Sequence, residues 1–425
     1  MFALYIAEMG IGIDAAKVGF NFGGVIFSGL LFADDIVLIA TTFQDLESLI
    51  QLVKGHCDSL MLTISSSKSN IVTPDDVDQM LLLDDDDNVT LALSKVLSYK
   101  YLGTETTLLM SSTGSKHQQK CIQIAKRYKY SCCYLGRIGP DFVDTVLATW
   151  SNIAIPSILS GCEVIQFTES NINIIERIQS QVAKIALSVP QNTSNVCAQT
   201  EMGMKPFRMR LYELQLSYYT RLLNLSRDRW VHKVLYDHLT GGWHSPYMAY
   251  ISRIRGELQL IDAPPSKKFL SIHLNCHFLN KTNRTISTQS LPNLMPVTSF
   301  ARKSYVCEGY DSSMIALMKL SNAGLGNRAP RIGRSRATTC TLCHQILNEA
   351  HVAFSCSFLE EFRQQHTDIS TFKSMCKERG IYPTLAFKWY VNGLHWDGSQ
   401  VTTTVYKNRG RALATVCDNW LQVTQ

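Results

Sequence analysis

No stretch of this 425-residue chain is an unbroken apolar run of the roughly 18 residues that a membrane span needs, so no spanning helix is expected. The apolar start, MFALYIAEMGIGIDAAK, has no basic segment before it, so it reads as a poor signal peptide. Thirteen cysteines are present, but they are scattered, not packed at regular spacing into a short chain. That excludes a disulfide framework and points to a reducing compartment. Internal repeats are missing as well. Acidic residues are missing locally: SKHQQKCIQIAKRYKYSCCYLGRIG, 115–139, has none, while it carries Lys116, Lys120, Lys126, Arg127, Lys129 and Arg137. The net charge of +6 and pI near 8.6 tilt the whole chain toward nucleic acid without deciding it.

What is there allows two or three domains with ordinary cores, since 45 % of the residues are apolar. Residues 1–104 read as α+β. VIFSGLLFADDIVLIA gives two β-rich arms around Ala33-Asp34-Asp35, a hairpin pattern. Leu46, Leu49, Ile50 and Val53 recur at helical spacing, which predicts an amphipathic helix. MLTISSSKSNIVT reads as strand, turn, strand; Asp75 to Asp87, with seven aspartates, reads as a solvated loop. VLSYKYLGT closes this part as a strand pair or tight turn. Residues 105–235 read as helical, with Ile172, Ile175, Ile178, Val182 and Ile185 on one face of a helix that ends before Pro190. Residues 236–335 resist assignment, 336–360 hold a Cys/His cluster, and 361–425 form a partly helical tail.

Two features carry chemistry. In SGLLFADDIVLIATT the adjacent Asp34 and Asp35 interrupt an apolar stretch. Buried carboxylates are costly and two side by side repel, unless a cation compensates them. Carboxylates on a tight hairpin suit a two-Mg²⁺ site; the other reading is a turn whose aspartates point outward. In CTLCHQILNEAHVAFSC, Cys340, Cys343, His351 and Cys356 supply three thiolates and one imidazole for a closed, structural Zn²⁺. His344 is the competing nitrogen, but it directly follows Cys343, where ligation strains the loop. Unrelated reduced cysteines are the alternative. The acid-free helix at 116–137 either tracks a nucleic-acid backbone or is a solvated face. Arg328, Arg331, Arg334 and Arg336 before the cluster, and Lys407, Arg409 and Arg411 after it, point by charge alone to RNA or DNA phosphates.

The ordered trio LLFADDIVLIA, TISSSKSNIV and YKYLGT resembles the reverse transcriptases of non-LTR (LINE-type) retrotransposons. The resemblance makes Phe32-Ala33-Asp34-Asp35 the palm's metal-binding motif. It places Lys68 near the phosphates of an incoming nucleotide, in a turn where the family's Asn is here Ser65. Tyr101-Leu102-Gly103 becomes the turn that leads into the thumb. Further on, Pro156 and Gly161, the Ile175-Glu176-Arg177-Ile178-Gln179 helix and the Glu201-Gly203-Pro206 turn resemble the segment after the thumb, with Glu176 and Gln179 read as packing residues. The Cys/His spacing resembles the zinc motif downstream of many such polymerases.

The expected fold is therefore α+β: a partial palm of antiparallel strands with a helix, a helical thumb and connector, and a small zinc unit. The resemblance also implies that the third palm carboxylate, the fingers and the Pro-Gln-Gly motif belong upstream of FALYIAEM. The expected function is the rear part of an RNA-directed DNA polymerase, with RNA and DNA as partners, dNTP only if the missing half is supplied, and no membrane. It is expected to be inactive alone, in a nuclear or cytoplasmic setting. The alternative is a zinc-containing nucleic-acid-binding remnant without chemistry; an ordinary enzyme with a chance Asp-Asp hairpin ranks last.

Overall fold

The computed structural model describes residues 2–22, 24–83, 89–101, 104–107, 110–138, 142–239, 246–260, 266–288, 296–300, 315–316, 339–395, 397 and 399–424. The fold is mostly helical α+β with small sheets. It forms two compact units: 1–120 with 161–167 and 216–264, and 121–160 with 168–215 and 265–425.

In the first unit, helix α1 (Phe2–Ala15) turns Ile6, Met9 and Ile13 inward. Two short antiparallel pairs follow, β1 (Phe20–Phe22) with β2 (Val25–Phe27), and β3 (Gly29–Phe32) with β4 (Asp35–Leu38). Helix α2 (Phe43–Ser59) starts where the Thr42 hydroxyl accepts a hydrogen bond from the Asp45 N–H at 3.1 Å. Its buried stripe, Leu49, Ile50, Val53 and Cys57, has the spacing expected from the sequence. Met9 and Ile13 pack on Leu49, Val53 and Cys57, and Leu31, Ile36 and Leu38 of the hairpin lie against this cluster. Gly29 has no room for a side chain, since a Cβ there would come within 2.8 Å of the Val37 carbonyl oxygen.

Two local expectations need correction. The first arm of the anticipated strand–turn–strand, Met61 to Ile64, forms no strand; only β5 (Asn70–Ile71) does, running parallel to β7 (Val89–Lys95). The aspartate-rich stretch is not a continuous loop, because β6 (Gln79–Leu83) lies inside it and pairs antiparallel with β7. Met80 and Leu82 alternate inward and join Ile50, Ile71, Leu91 and Leu93 in a second core. Burial of these apolar side chains outweighs the local polarity of the aspartates beside them. Asp75, Asp76 and Asp78 stay exposed, and Asp84 to Asp87 lie outside the described residues. A further hairpin, β8 (Ser98–Tyr101) with β9 (Thr104–Thr107), precedes helix α3 (Met110–Ile138).

Among its described residues, the second unit is helical up to residue 288. Helix α4 (Phe142–Ala148), a π-turn at Thr149–Ala154 and α5 (Ile155–Leu159) lead to α6 (Glu169–Ala186) and α7 (Asn195–Glu201). Phe142–Leu159 does match a membrane-crossing helix in length and composition, which corrects the expectation of no such stretch. Asp144 and scattered polar residues hide it from a search for an unbroken apolar run. Its Val143, Val146, Trp150, Ala154, Ile155 and Ile158 are already buried in the protein. Ile172, Ile175, Ile178 and Val182 of α6 are buried and Ile185 half-buried. Helix α8 (Phe207–Leu223) begins in this unit and runs into the first, to which α9 (Trp230–Leu239) and α10 (Pro246–Glu257) belong; α11 (Lys267–Thr288) is again in the second. After the Cys/His segment come α12 (Glu360–Gln364), α13 (Thr367–Glu378), α14 (Pro383–Val391) and α15 (Thr403–Thr424).

Candidate functional site

Asp34 and Asp35 sit at the tip of the β3–β4 hairpin, where Phe32 pairs with Asp35 across a two-residue turn. Ala33 occupies the first turn position at φ 53°, the left-handed value that a type II′ turn requires. Both aspartates are exposed, so the desolvation problem is solved by placement: the apolar arms pack on the core while the acidic tip stays in water. Burial, and then the negative charge of Asp35, push the Tyr101 phenol above its ordinary value. Tyr101, at the end of β8, is thus within electrostatic reach of Asp35. Among the described residues, no third His, Cys, Asp or Glu comes close enough to complete a three-ligand set with them. Lys68 is exposed on a turn closed by its own N–H and that of Ser69 donating to the Ser65 carbonyl, at 3.1 and 3.0 Å. No hydrogen bond or ion pair among the described residues joins Lys68 to the pair. Leu102 and Gly103 lie outside them.

The Cys/His segment forms a compact cluster. Thr339 and Ile346 bridge the ends of a tight turn in which the His344 N–H donates to the Cys340 carbonyl at 2.8 Å. This turn presents the Cys340 and Cys343 sulfurs together. His344 has φ 60° and is exposed, leaving His351 as the nitrogen that faces the sulfurs. The Asn348 side chain accepts from the His351 N–H at 2.8 Å, and a π-turn from His351 to Ser355 brings Cys356 back, its N–H donating to the His351 carbonyl at 2.9 Å. A tetrahedral Zn²⁺ with ordinary bond lengths separates two thiolates by about 3.8 Å, and a thiolate from an imidazole nitrogen by about 3.6 Å. Here Cys340 Sγ to Cys356 Sγ is 3.9 Å, Cys356 Sγ to Cys343 Sγ 4.0 Å, and Cys343 Sγ to His351 Nε2 3.2 Å. All four ligand atoms lie within 4.8 Å of one another, so the cluster could hold a metal such as zinc.

The environment suits a cation. Burial, and then Arg363, lower the His351 pKa, which keeps the imidazole neutral and able to ligate. Burial, with the Cys340 sulfur adding to it, pushes the Cys356 thiol well up. A bound dication would favour the thiolate that burial disfavours at Cys356. Arg363, which sequence reasoning missed, is fully buried and donates to the carbonyls of Val352 and Cys356. It thereby holds the turn that carries two of the ligands. Glu360 anchors it at 2.8 Å and also binds Lys373 at 2.5 Å.

Lys116, Lys120, Lys126 and Arg127 are exposed along α3, and Lys116 also donates to Ser98 Oγ at 3.2 Å. Arg331, Arg334 and Arg336, with Arg328, lie outside the described residues. Arg409 is a correction. It is 1 % exposed, stacked 4.7 Å from Phe372 and 4.5 Å from Tyr390, and paired with Asp368 at 3.4 Å, so it is a core residue and no phosphate contact. Arg411 is exposed. Glu176 and Gln179 are packing residues. Gln179 Oε1 accepts from Trp150 Nε1 at 3.1 Å, and its amide nitrogen donates to Gln199 and to the Lys205 carbonyl. Glu176 Oε1 accepts from the Arg208 N–H at 3.0 Å. Gly203, at φ 68°, ends α7 just before Pro206, which gives the Glu201-Gly203-Pro206 turn its shape.

No family profile matches the chain, and no curated protein matches it.

Proposed function

We propose that this chain is the rear portion of an RNA-directed DNA polymerase of the non-LTR retrotransposon type, with Asp34 and Asp35 as two carboxylates of its Mg²⁺ site. The observation that carries the reading is the acidic hairpin tip, its arms packed on α1 and α2, with Tyr101 of the β8–β9 hairpin within electrostatic reach of Asp35. The motif order along the chain, acidic hairpin, Lys68 turn, Tyr101 hairpin, then a long basic helix, supports the same reading. In it, Lys68 serves the phosphates of a nucleotide, α3 follows the nucleic-acid backbone, and the Cys340, Cys343, His351 and Cys356 set holds a structural Zn²⁺. With two carboxylates in place of the three the resemblance calls for, the chain alone binds nucleic acid but does not extend a primer.

The second reading, a zinc-containing nucleic-acid-binding protein without polymerase chemistry, is favoured by the distances within the Cys/His cluster, which need no palm. Primer extension on an RNA template with the zinc-loaded chain tests the proposal. No extension is expected from the chain alone, and Mg²⁺-dependent extension is expected once an upstream palm-and-fingers polypeptide from a non-LTR element is added. Extension that survives Asp34→Asn/Asp35→Asn contradicts the assignment, as does continued inactivity with the complement bound.

A further inference from the structure

Helix α3 has a face that its positive charge alone does not explain. Over 29 residues it contains no Asp or Glu. Cys121, Ile122, Ala125 and Cys132 point inward. On the opposite side, Gln123, Arg127, Tyr130 and Tyr134 follow one another at steps of four, three and four, the spacing that puts side chains in one line along a helix. All four are exposed, and Lys126 stands next to them. Tyr130 is 68 % and Tyr134 66 % exposed. Two neighbouring aromatic rings left in water on a long, well-packed helix are unusual, because each gives up favourable burial.

The rings are set among cations. Lys129 Nζ lies 4.8 Å from the Tyr130 ring centroid and is itself held by Gln181 Oε1 at 3.2 Å. Arg127 lies over Tyr128 at 5.3 Å. Cations alone would suit any polyanion, since they act on phosphates through counterion release. Exposed rings interleaved with them add flat surfaces on which unpaired bases stack, and bases inside a duplex are closed to such contacts. We infer that the Gln123–Arg127–Tyr130–Tyr134 face of α3 binds a single-stranded nucleic acid, with bases stacked on the two tyrosines and phosphates on Lys126 and Arg127. This rests on the nucleic-acid reading above and deepens it by naming the unpaired strand as the ligand.

The test is fluorescence anisotropy on the full zinc-loaded chain, with a labelled oligothymidine strand and the same strand annealed to its complement. The native chain is expected to prefer the single strand. Tyr130→Ala/Tyr134→Ala is expected to weaken single-strand binding about tenfold or more and to leave duplex binding unchanged. Tyr130→Trp/Tyr134→Trp should retain it, and an unchanged thermal melt shows that the variants are folded. Lys126→Ala/Arg127→Ala should weaken both ligands and flatten the salt dependence. Duplex binding with no effect of the tyrosine changes on the single strand overturns this inference alone. A native chain that binds neither ligand at low salt overturns both it and the nucleic-acid reading.

Discussion

Glu176 shows what burial does to one carboxyl. Desolvation raises its pKa above the ordinary 4.5, against the lowering effect of the Arg208 N–H and of Gln199. A carboxyl raised in the folded state favours the proton there, so its stabilising contribution is complete below about pH 4.5 and is lost as pH climbs through the folded value. Glu176→Gln keeps an acceptor for Arg208 and removes the charge. Its melting temperature relative to the native chain should therefore be highest at neutral pH and converge as pH falls toward 4.5. A constant difference across that range contradicts the assignment. Arg363 gives the opposite case, a buried cation satisfied by two carbonyls and Glu360. Arg363→Ala should cost about 3 kcal/mol in denaturant unfolding and lower zinc affinity about tenfold or more, measured against a chromophoric chelator. Neither role was legible beforehand for Arg363, because nothing in the local sequence separates a buried guanidinium from an exposed one. Arg409 was misread for the same reason: charge alone pointed to phosphates, while Phe372, Tyr390 and Asp368 enclose it.

At the scale of elements, periodicity was a good guide where the buried face is a continuous aliphatic stripe. Helices α2 and α6 were foreseen on that ground, with their buried positions. The acidic hairpin was foreseen too, since two aliphatic arms around Ala33-Asp34-Asp35 have few other ways to fold. Strand β6 was not, because aspartates on both sides mask a four-residue apolar run, Met80 to Leu83, whose partner is β7. Helix α11 escaped for a different reason. Its buried Leu270, Leu274, Phe278, Thr282 and Ile286 recur at steps of four, but Asn, Ser and Thr between them weaken the signal. Two substitutions test the local physics. Thr42→Ala removes the cap of α2 and should cost roughly 1 kcal/mol in urea unfolding. Ala33→Gly relieves the positive φ at the hairpin turn and should stabilise by roughly 1 kcal/mol. A destabilising Ala33→Gly would mean that the turn is not the one described.

At the scale of the whole molecule, the chain joins an α+β part rich in small sheets to helical parts and a Cys/His cluster, and the cluster was the most legible site of all. Its ligand spacing named four residues, and the folded chain brings those four together. What spacing could not give was the π-turn and the buried arginine that aim them. Stripping zinc with a chelator should lower helical circular dichroism and expose residues 339–424 to protease, with Zn²⁺ restoring both. The polymerase reading rests on the acidic hairpin, and bound Fe²⁺ in place of Mg²⁺ probes it most directly. With ascorbate and peroxide, the iron should cut the backbone at 33–36 and beside Tyr101; excess Mg²⁺ should suppress the cuts and Asp34→Asn/Asp35→Asn should abolish them. Cleavage only elsewhere in the chain, or cleavage at the hairpin that ignores those two substitutions, would contradict the account.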